Sequence, residues 1–242
     1  TAIGVQLMTM FGSQWLASAG STALTLDYTA QSVVSHAGNT DWSGQFDGMA
    51  IGDADSTRLV VAGISAVRTS GGTHIVSACT IGGETASLVV RQATTSNDVC
   101  ELWAATVASG TTADVDITFS ATCNHAGVGL WRLTNAATTA TETASDSGGI
   151  PYAANLEIPT DGVGIGYFLN VQEASDGGSD GNRTTWTNLT KDFDVDFTGA
   201  AAGSATSHSG ASSDTAGDLL RTATPPADRS YYALVLAAFG PA

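Results

Sequence analysis

Three aspartates, Asp192, Asp194 and Asp196, alternate with apolar residues in the last third of the chain. Side chains of a β-strand point alternately to its two faces, so we expect the three carboxylates on one face. Like charges side by side are unfavourable unless water or a cation screens them. The pattern therefore predicts either a calcium site shared with a neighbouring loop or a solvated outer face of a sheet.

The loop that would share this calcium site precedes the strand. Residues 174–183 are acidic and glycine-rich, and Asp176 and Asp180 offer carboxylate oxygens, the ligands that Ca²⁺ prefers. The loop lacks the downstream bidentate glutamate of an EF-hand. The sequence therefore indicates no cofactor other than this calcium ion.

No set of side chains predicts an enzyme. The four histidines lack zinc-ligand spacing, and the serines around His208 lack the Gly-x-Ser-x-Gly turn of a nucleophilic serine. Cys123 and His125 could form a thiol–imidazole pair, but the strand pattern places Cys123 on the core face. The glutamates are too scattered to nominate a pair of acids for glycoside hydrolysis. We therefore expect a protein without catalytic residues.

Several aromatic residues predict a second kind of ligand. Trp42, Trp186 and Tyr152, with Tyr232, could form a platform on which sugar rings stack. The alternative is that these rings belong to the core or to a subunit interface. A glycan of a host surface is the ligand that the first interpretation implies.

Charge excludes one class of partner. The formal net charge is −15 and Lys191 is the only lysine, so the surface should repel nucleic-acid phosphates.

The first 26 residues have no charged side chain, and polar residues and glycine interrupt their apolar positions, so we expect neither a signal peptide nor membrane insertion. Residues 1–20 are instead predicted to anchor the chain on a partner. The expected contact residues are Ile3, Val5, Leu7, Met8, Met10, Phe11 and Trp15.

Alternation of apolar and polar residues defines the fold class. Val115, Ile117 and Phe119 share one face of a strand, and similar strands recur about every 12–15 residues with turn residues between them. This predicts an all-β, antiparallel, jelly-roll-like sandwich of about 10–12 strands with little helix. Residues 21–242 should form one domain, with an internal seam at 134–149.

Individual segments allow sharper predictions. Arg58–Arg68 and Arg229–Phe239 are apolar on both faces, which predicts two central strands. Gly82-Gly83 predicts a hairpin between Thr73–Ile81 and Ala86–Arg91. Residues 200–216 are small and polar, and should be either a flat edge strand or a loop.

The three cysteines all fall on core-facing positions. They are Cys79, Cys100 and Cys123. Buried reduced thiols are one interpretation, and one disulfide with a spare thiol is the other.

Four segments carry a resemblance to a known group of proteins. They are Arg58–Ile64, Thr80–Ala86, Glu101–Ser120 and Gly127–Leu133, and Thr184–Asp194 adds to the impression. In these segments the chain resembles β-sandwich structural proteins of marine and alphaproteobacterial phages and phage-like particles. The resemblance implies a self-associating protein of the virion surface, made in the bacterial cytoplasm, that docks on other virion subunits. Capsid decoration, head-fibre and tail-fibre components are the roles implied; a carbohydrate-binding adhesin and a polysaccharide-active enzyme are the alternatives.

Overall fold

The computed structural model describes residues 23–67, 74–93, 98–171, 184–197, 206–225 and 231–242. Within these ranges the regular structure consists of 17 strands and no helix. The predicted all-β, antiparallel, sandwich-like fold is confirmed. The strand number exceeds the expected 10–12, in part because four of the strands have only two or three residues.

Nine strands precede residue 135 and eight follow it. The first nine are β1 Thr25–Asp41, β2 Met49–Ala50, β3 Leu59–Val67, β4 Val76–Ile81, β5 Glu84–Thr85, β6 Ser87–Ala93, β7 Asp98–Thr106, β8 Thr112–Ala113 and β9 Val115–Thr134. The others are β10 Glu142–Asp146, β11 Tyr152–Ile158, β12 Val163–Val171, β13 Thr185–Thr187, β14 Thr190–Asp196, β15 Thr206–Ser213, β16 Gly217–Thr224 and β17 Tyr231–Phe239.

The first sheet contains seven strands in the order β5-β4-β9-β3-β7-β6, with β1 also paired to β9. The 20 residues of β9 pair with β4 at one end and with β3 at the other. The sheet curls into a half-barrel. β3 lies between β9 and β7, which confirms the central strand predicted at Arg58–Arg68.

The second half of the chain forms two further sheets. One has the order β10-β17-β12-β15-β14 and the other β11-β16-β13. β17 lies between β10 and β12, as its apolar sequence predicted. β15 lies between β12 and β14, so the prediction that residues 200–216 form an edge strand or a loop is wrong for Thr206–Ser213. Its small side chains fit an internal strand because large rings from neighbouring strands lie over them.

A fourth, two-stranded sheet joins β2 and β8. The first three sheets enclose three hydrophobic cores. The inner core lies inside the curl of the first sheet, the middle core between the first and second sheets, and the outer core between the second and third. Large buried members of the inner core are Trp42, Phe46, Trp103 and Phe119. Those of the middle core are Trp131, Tyr167, Phe193 and Phe239, and those of the outer core are Tyr152, Phe168, Tyr232 and Leu234.

The predicted hairpin at Gly82-Gly83 is shorter than expected. Both glycines have positive φ, 60° and 81°, as a tight hairpin turn requires. Only β5 pairs back on β4, and β6 pairs with β7 at the far edge of the sheet. Ala86 still donates its N–H to the Cys79 carbonyl oxygen at 3.0 Å, so the prediction that Ala86–Arg91 completes the hairpin is wrong only for the residues after Ala86, which lie in β6.

A buried arginine ties the loops around the inner core together. Arg58 is fully buried and carries no ion pair within the described residues. Its guanidinium donates hydrogen bonds to the carbonyl oxygens of Val107, Gly52, Asp53 and Ser109 at 2.6 to 2.9 Å. These bonds compensate the loss of hydration that burial imposes on the charge.

Candidate functional site

The three alternating aspartates, Asp192, Asp194 and Asp196, do not lie on one face of the sheet. A β-bulge between Lys191 and Phe193 interrupts the register of β14 with β15. Asp192 reaches the middle-core side, where the indole N–H of Trp131 donates to its Oδ2 at 2.8 Å. Asp194 and Asp196 pair across from Ser209 and Ser207 on the opposite face. The prediction that all three carboxylates share a face is wrong because a bulge shifts the alternation by one residue.

Asp194 is also not on a solvated outer face. It is buried, its Oδ2 accepts the backbone N–H of Thr184 at 2.7 Å, and Lys191 Nζ lies 3.4 Å from the same oxygen. Burial raises the pKa of Asp194 to about 6, against the lowering effects of the Thr184 N–H and of Lys191. The solvated outer face predicted for this residue is wrong because Thr184 and Lys191 enclose its carboxylate.

The shared calcium site of the sequence analysis stays a prediction. Asp176 and Asp180 lie outside the described residues. In the described ranges, no three histidine, cysteine, aspartate or glutamate side chains gather closely enough to hold a metal ion.

The predicted aromatic platform does not form. Trp42 is fully buried in the inner core, where its ring stacks on Phe46 at a centroid distance of 6.3 Å. Tyr152 is buried in the outer core, 4.8 Å from the ring of Tyr232. Trp186 is half-buried, and its indole N–H donates to Ser209 Oγ at 2.8 Å. Trp42 and Tyr152 are therefore core residues, which was the alternative interpretation of the sequence. The three rings share no exposed surface.

All three cysteines are buried and none forms a disulfide, which confirms the prediction of reduced core thiols. Burial raises the pKa of Cys79 to about 12 and that of Cys100 well above its ordinary value. Thiols with such pKa values stay protonated and do not act as nucleophiles at neutral pH.

The imidazole beside Cys123 is not the predicted one. His74 Nε2 lies 3.1 Å from Cys123 Sγ, whereas His125 bonds Ser35 Oγ through Nδ1 at 2.9 Å. His74 Nε2 also lies 3.0 Å from the carbonyl oxygen of Ala121, so this nitrogen carries the proton and donates it. A nitrogen that donates cannot accept the thiol proton, and the arrangement is therefore structural.

A chain of hydrogen bonds crosses the middle core, and the sequence patterns did not predict it. Tyr167 Oη lies 2.7 Å from both Ser65 Oγ and His208 Nδ1, and all three residues are fully buried. Burial lowers the pKa of His208 to about 3, so the imidazole is neutral at physiological pH. Ser65 within an otherwise apolar central strand was the only sequence signal, because a lone buried hydroxyl needs a partner.

An open groove lies between two sheet edges. It has a volume of about 350 Å³, and its lining includes Leu24, Leu26, Val163, Asp192, Ser212 and Asp214. Among the described strands, β1 pairs only with β9 and β14 only with β15, so each borders the groove with an unpaired edge. A second depression of about 240 Å³ shares Thr190 and Ser213 with the first and extends to Leu219. We call the two together the edge groove.

The edge groove combines apolar walls with acidic groups. Leu219, which lines it, is 36% exposed, and the adjacent Leu220 is 51% exposed. Burial raises the pKa of Asp192, against hydrogen bonds from Trp131 and Ser212. The predicted contact residues between Ile3 and Trp15 lie outside the described residues, but the described chain begins at Ala23, beside the groove residue Leu24. Such a groove can bind an extended or apolar segment.

Comparisons with known proteins assign no family. No protein-family model matches this chain, and no curated protein is found to be similar to it. Within the part of the chain that the structure describes, no helix has the length and hydrophobicity needed to cross a membrane.

Proposed function

We propose that this protein is a non-catalytic surface subunit of a phage particle that docks on other virion subunits through the edge groove and its N-terminal segment. Capsid decoration, head-fibre and tail-fibre components are the roles that the resemblance implies. The observation that carries the docking part of the proposal is the edge groove. It lies between edges of β1 and β14 that no other described strand pairs with, where the uncharged N-terminal segment joins the fold.

Physical chemistry favours protein contacts at this place. An unpaired strand edge presents N–H and C=O groups that can pair with a strand of another chain. Leu219 adds exposed apolar surface at the far end of the groove, and Leu220 adds more beside it on the other face of β16. A net charge of −15 keeps such a protein soluble at the high local concentration of a particle surface.

Incorporation into particles tests the proposal. We would delete residues 1–20 in one variant and replace both Leu219→Ser and Leu220→Ser in another, and then measure the protein content of purified particles. We expect either change to lower incorporation by about tenfold or more, because each removes apolar contact area. Circular dichroism and a thermal melt would verify that both variants fold.

Leu88→Ser is the matched control. Leu88 is 41% exposed on β6, at the edge of the first sheet opposite to β1, so this variant should enter particles like the natural protein. Normal incorporation of the truncated chain and of the double serine variant would overturn the proposal. So would a chain that is absent from particles and binds glycans saturably on an array, with or without calcium.

A further inference from the structure

A row of polar side chains crosses the second sheet on its outer-core face. Asn170 on β12 pairs across from Ser207 on β15, and Ser207 pairs across from Asp196 on β14. Phe168, two residues before Asn170, belongs to the outer core, which places the Asn170 side chain on the same face. Asp194 and Thr184 flank this row and are joined by the hydrogen bond described above. We call these five residues the polar row.

Several polar atoms of the row are buried without a partner among the residues that the structure describes. Asn170 is 1% exposed, and neither its amide nitrogen nor its amide oxygen makes a hydrogen bond. Ser207 is fully buried and Thr184 is 1% exposed, and neither hydroxyl has a partner. The Oδ1 atom of Asp194 is also unpaired. Buried polar groups in native proteins are paired with protein, water or an ion, so this concentration of unpaired atoms indicates a bound species.

The chemistry of the polar row selects a hard cation. Its donors are amide, hydroxyl and carboxylate oxygens, with no thiolate or imidazole among the five residues. Ca²⁺ accepts about six to eight such oxygens at about 2.3–2.6 Å in flexible geometry, whereas Mg²⁺ requires near-octahedral ligands at shorter distances. Adjacent strands lie about 4.8 Å apart, so short side chains from β12 and β14 can reach one ion above Ser207.

The charge balance also suits a cation. Asp194 and Asp196 bring two carboxylates, and the Lys191 ammonium offsets one of them from the Oδ2 side of Asp194. Lys191 Nζ also lies 3.2 Å from the Thr184 carbonyl oxygen, so it stays on that side and leaves Oδ1 free. We propose that the polar row binds one Ca²⁺ ion, with a dissociation constant of about 10⁻⁴–10⁻³ M because it has few carboxylates.

Calorimetry on the full chain tests this site. After treatment with a chelator, the protein would be titrated with CaCl₂ and with MgCl₂. We expect one saturable site for Ca²⁺ and binding of Mg²⁺ that is weaker by about tenfold or more. Asp196→Asn should weaken Ca²⁺ binding by about tenfold or more, because a carboxylate ligand becomes a neutral amide.

Asp192→Asn is the matched control, since it makes the same charge change on the same strand, at the bulge, but on the middle-core face. Its Ca²⁺ affinity should match that of the natural protein. The proposal is overturned if the natural protein gives no calcium-dependent heat, which would mean that water alone fills the row. It is also overturned if the two variants lose affinity equally, because the ion would then respond only to net charge.

A second variant, Asn170→Leu, tests the site independently in case Asp196→Asn does not fold. Asn170→Leu removes the unpaired amide, so in chelator its thermal midpoint should equal or exceed that of the natural protein. In calcium it should lie below, because the natural protein gains a ligand that the variant cannot hold. A midpoint above the natural one in both conditions would contradict the site. If this variant does not fold, the comparison of Asp196→Asn with Asp192→Asn decides.

Discussion

The two faces of β12 and β15 differ in whether their buried polar side chains are hydrogen-bonded. On the middle-core face of β12 and β15, the hydroxyl of Tyr167 bonds both Ser65 and His208 at 2.7 Å. On the outer-core face, Asn170 and Ser207 are equally buried and their side chains have no partner. Ser207 and His208 are adjacent in sequence, so one strand contributes to both situations. The difference separates a hydrogen-bonded chain, in which His208 Nε2 is the one side-chain atom without a partner among the described residues, from a row with several such atoms.

The hydrogen-bonded chain of Ser65, Tyr167 and His208 is neutral throughout. Burial lowers the pKa of His208 and raises that of Tyr167 well above its ordinary value, so both rings stay uncharged around neutral pH. A neutral hydrogen-bonded chain costs little desolvation energy, and it fixes the register of the first and second sheets. The polar row instead contains two carboxylates, which a cation can stabilise.

Acid should break the hydrogen-bonded chain first, with the largest effect on stability that we expect. The pKa of His208 falls from 6.5 to about 3 on folding, so between these values the unfolded chain binds a proton that the folded chain does not. Stability should therefore decrease as the pH falls through this window. The loss due to His208 is about 3 kcal/mol between about pH 7 and about pH 4.

Urea unfolding at several pH values measures this loss. His208→Gln should flatten the pH dependence in that window, because glutamine has no proton to gain. His36→Gln, at a half-buried position outside the middle core, should keep the natural slope. Equal slopes for the natural protein and His208→Gln would show that carboxylates, and not the buried imidazole, determine its acid sensitivity.

A glycine on β15 offers the second test, by steric means. A Cβ on Gly210 would lie 2.2 Å from Phe193 Cε1 and 2.6 Å from Trp131 Cζ2, in the tightly packed middle core. Gly210→Ala should lower the free energy of unfolding by about 2 kcal/mol, because both rings must shift. Gly149→Ala, where nothing lies within 4 Å of the added methyl, should be nearly neutral in the same urea titration. Equal changes in the free energy of unfolding for the two variants would mean that the middle core rearranges around the added methyl without a cost in stability.

Periodicity along one strand was enough to predict much of the fold. The alternation in β9 and the apolar runs of β3 and β17 gave the strand type and its place in the sheet, because burial of one or both faces is a property of the strand itself. β15 was missed because serine, glycine and alanine carry no hydrophobic signal. Its burial depends on Phe193 and Trp131 from other strands, which fill the space above Gly210.

The candidate sites were less predictable for a similar reason. The bulge at Lys191 and Phe193 has no sequence signature, yet it moves Asp192 away from Asp194. The pairing of Cys123 with His74 depends on two segments 49 residues apart, so spacing alone favoured His125. The edge groove is formed by the relative placement of two sheets, which local patterns cannot encode.

The smallest effect on stability is expected when serine is replaced by alanine, once on the middle-core face and once on the outer-core face. Ser65→Ala removes a hydroxyl that bonds Tyr167 and also lies 3.4 Å from the Gly127 carbonyl oxygen, so it should lower stability by about 1 kcal/mol. Ser207→Ala removes a buried hydroxyl without a partner, so in chelator it should be neutral or raise stability slightly.

Urea titrations of both serine variants, with and without calcium, make the comparison quantitative. The Ser65→Ala loss should be independent of calcium, because the hydrogen bonds that it removes involve no residue of the polar row. Ser207→Ala should become destabilising only when calcium is added, since the natural protein alone then gains the full ligand set. Equal losses for both variants in chelator would mean that Ser207 already has a partner in the metal-free protein, and the contrast between the two faces would then disappear.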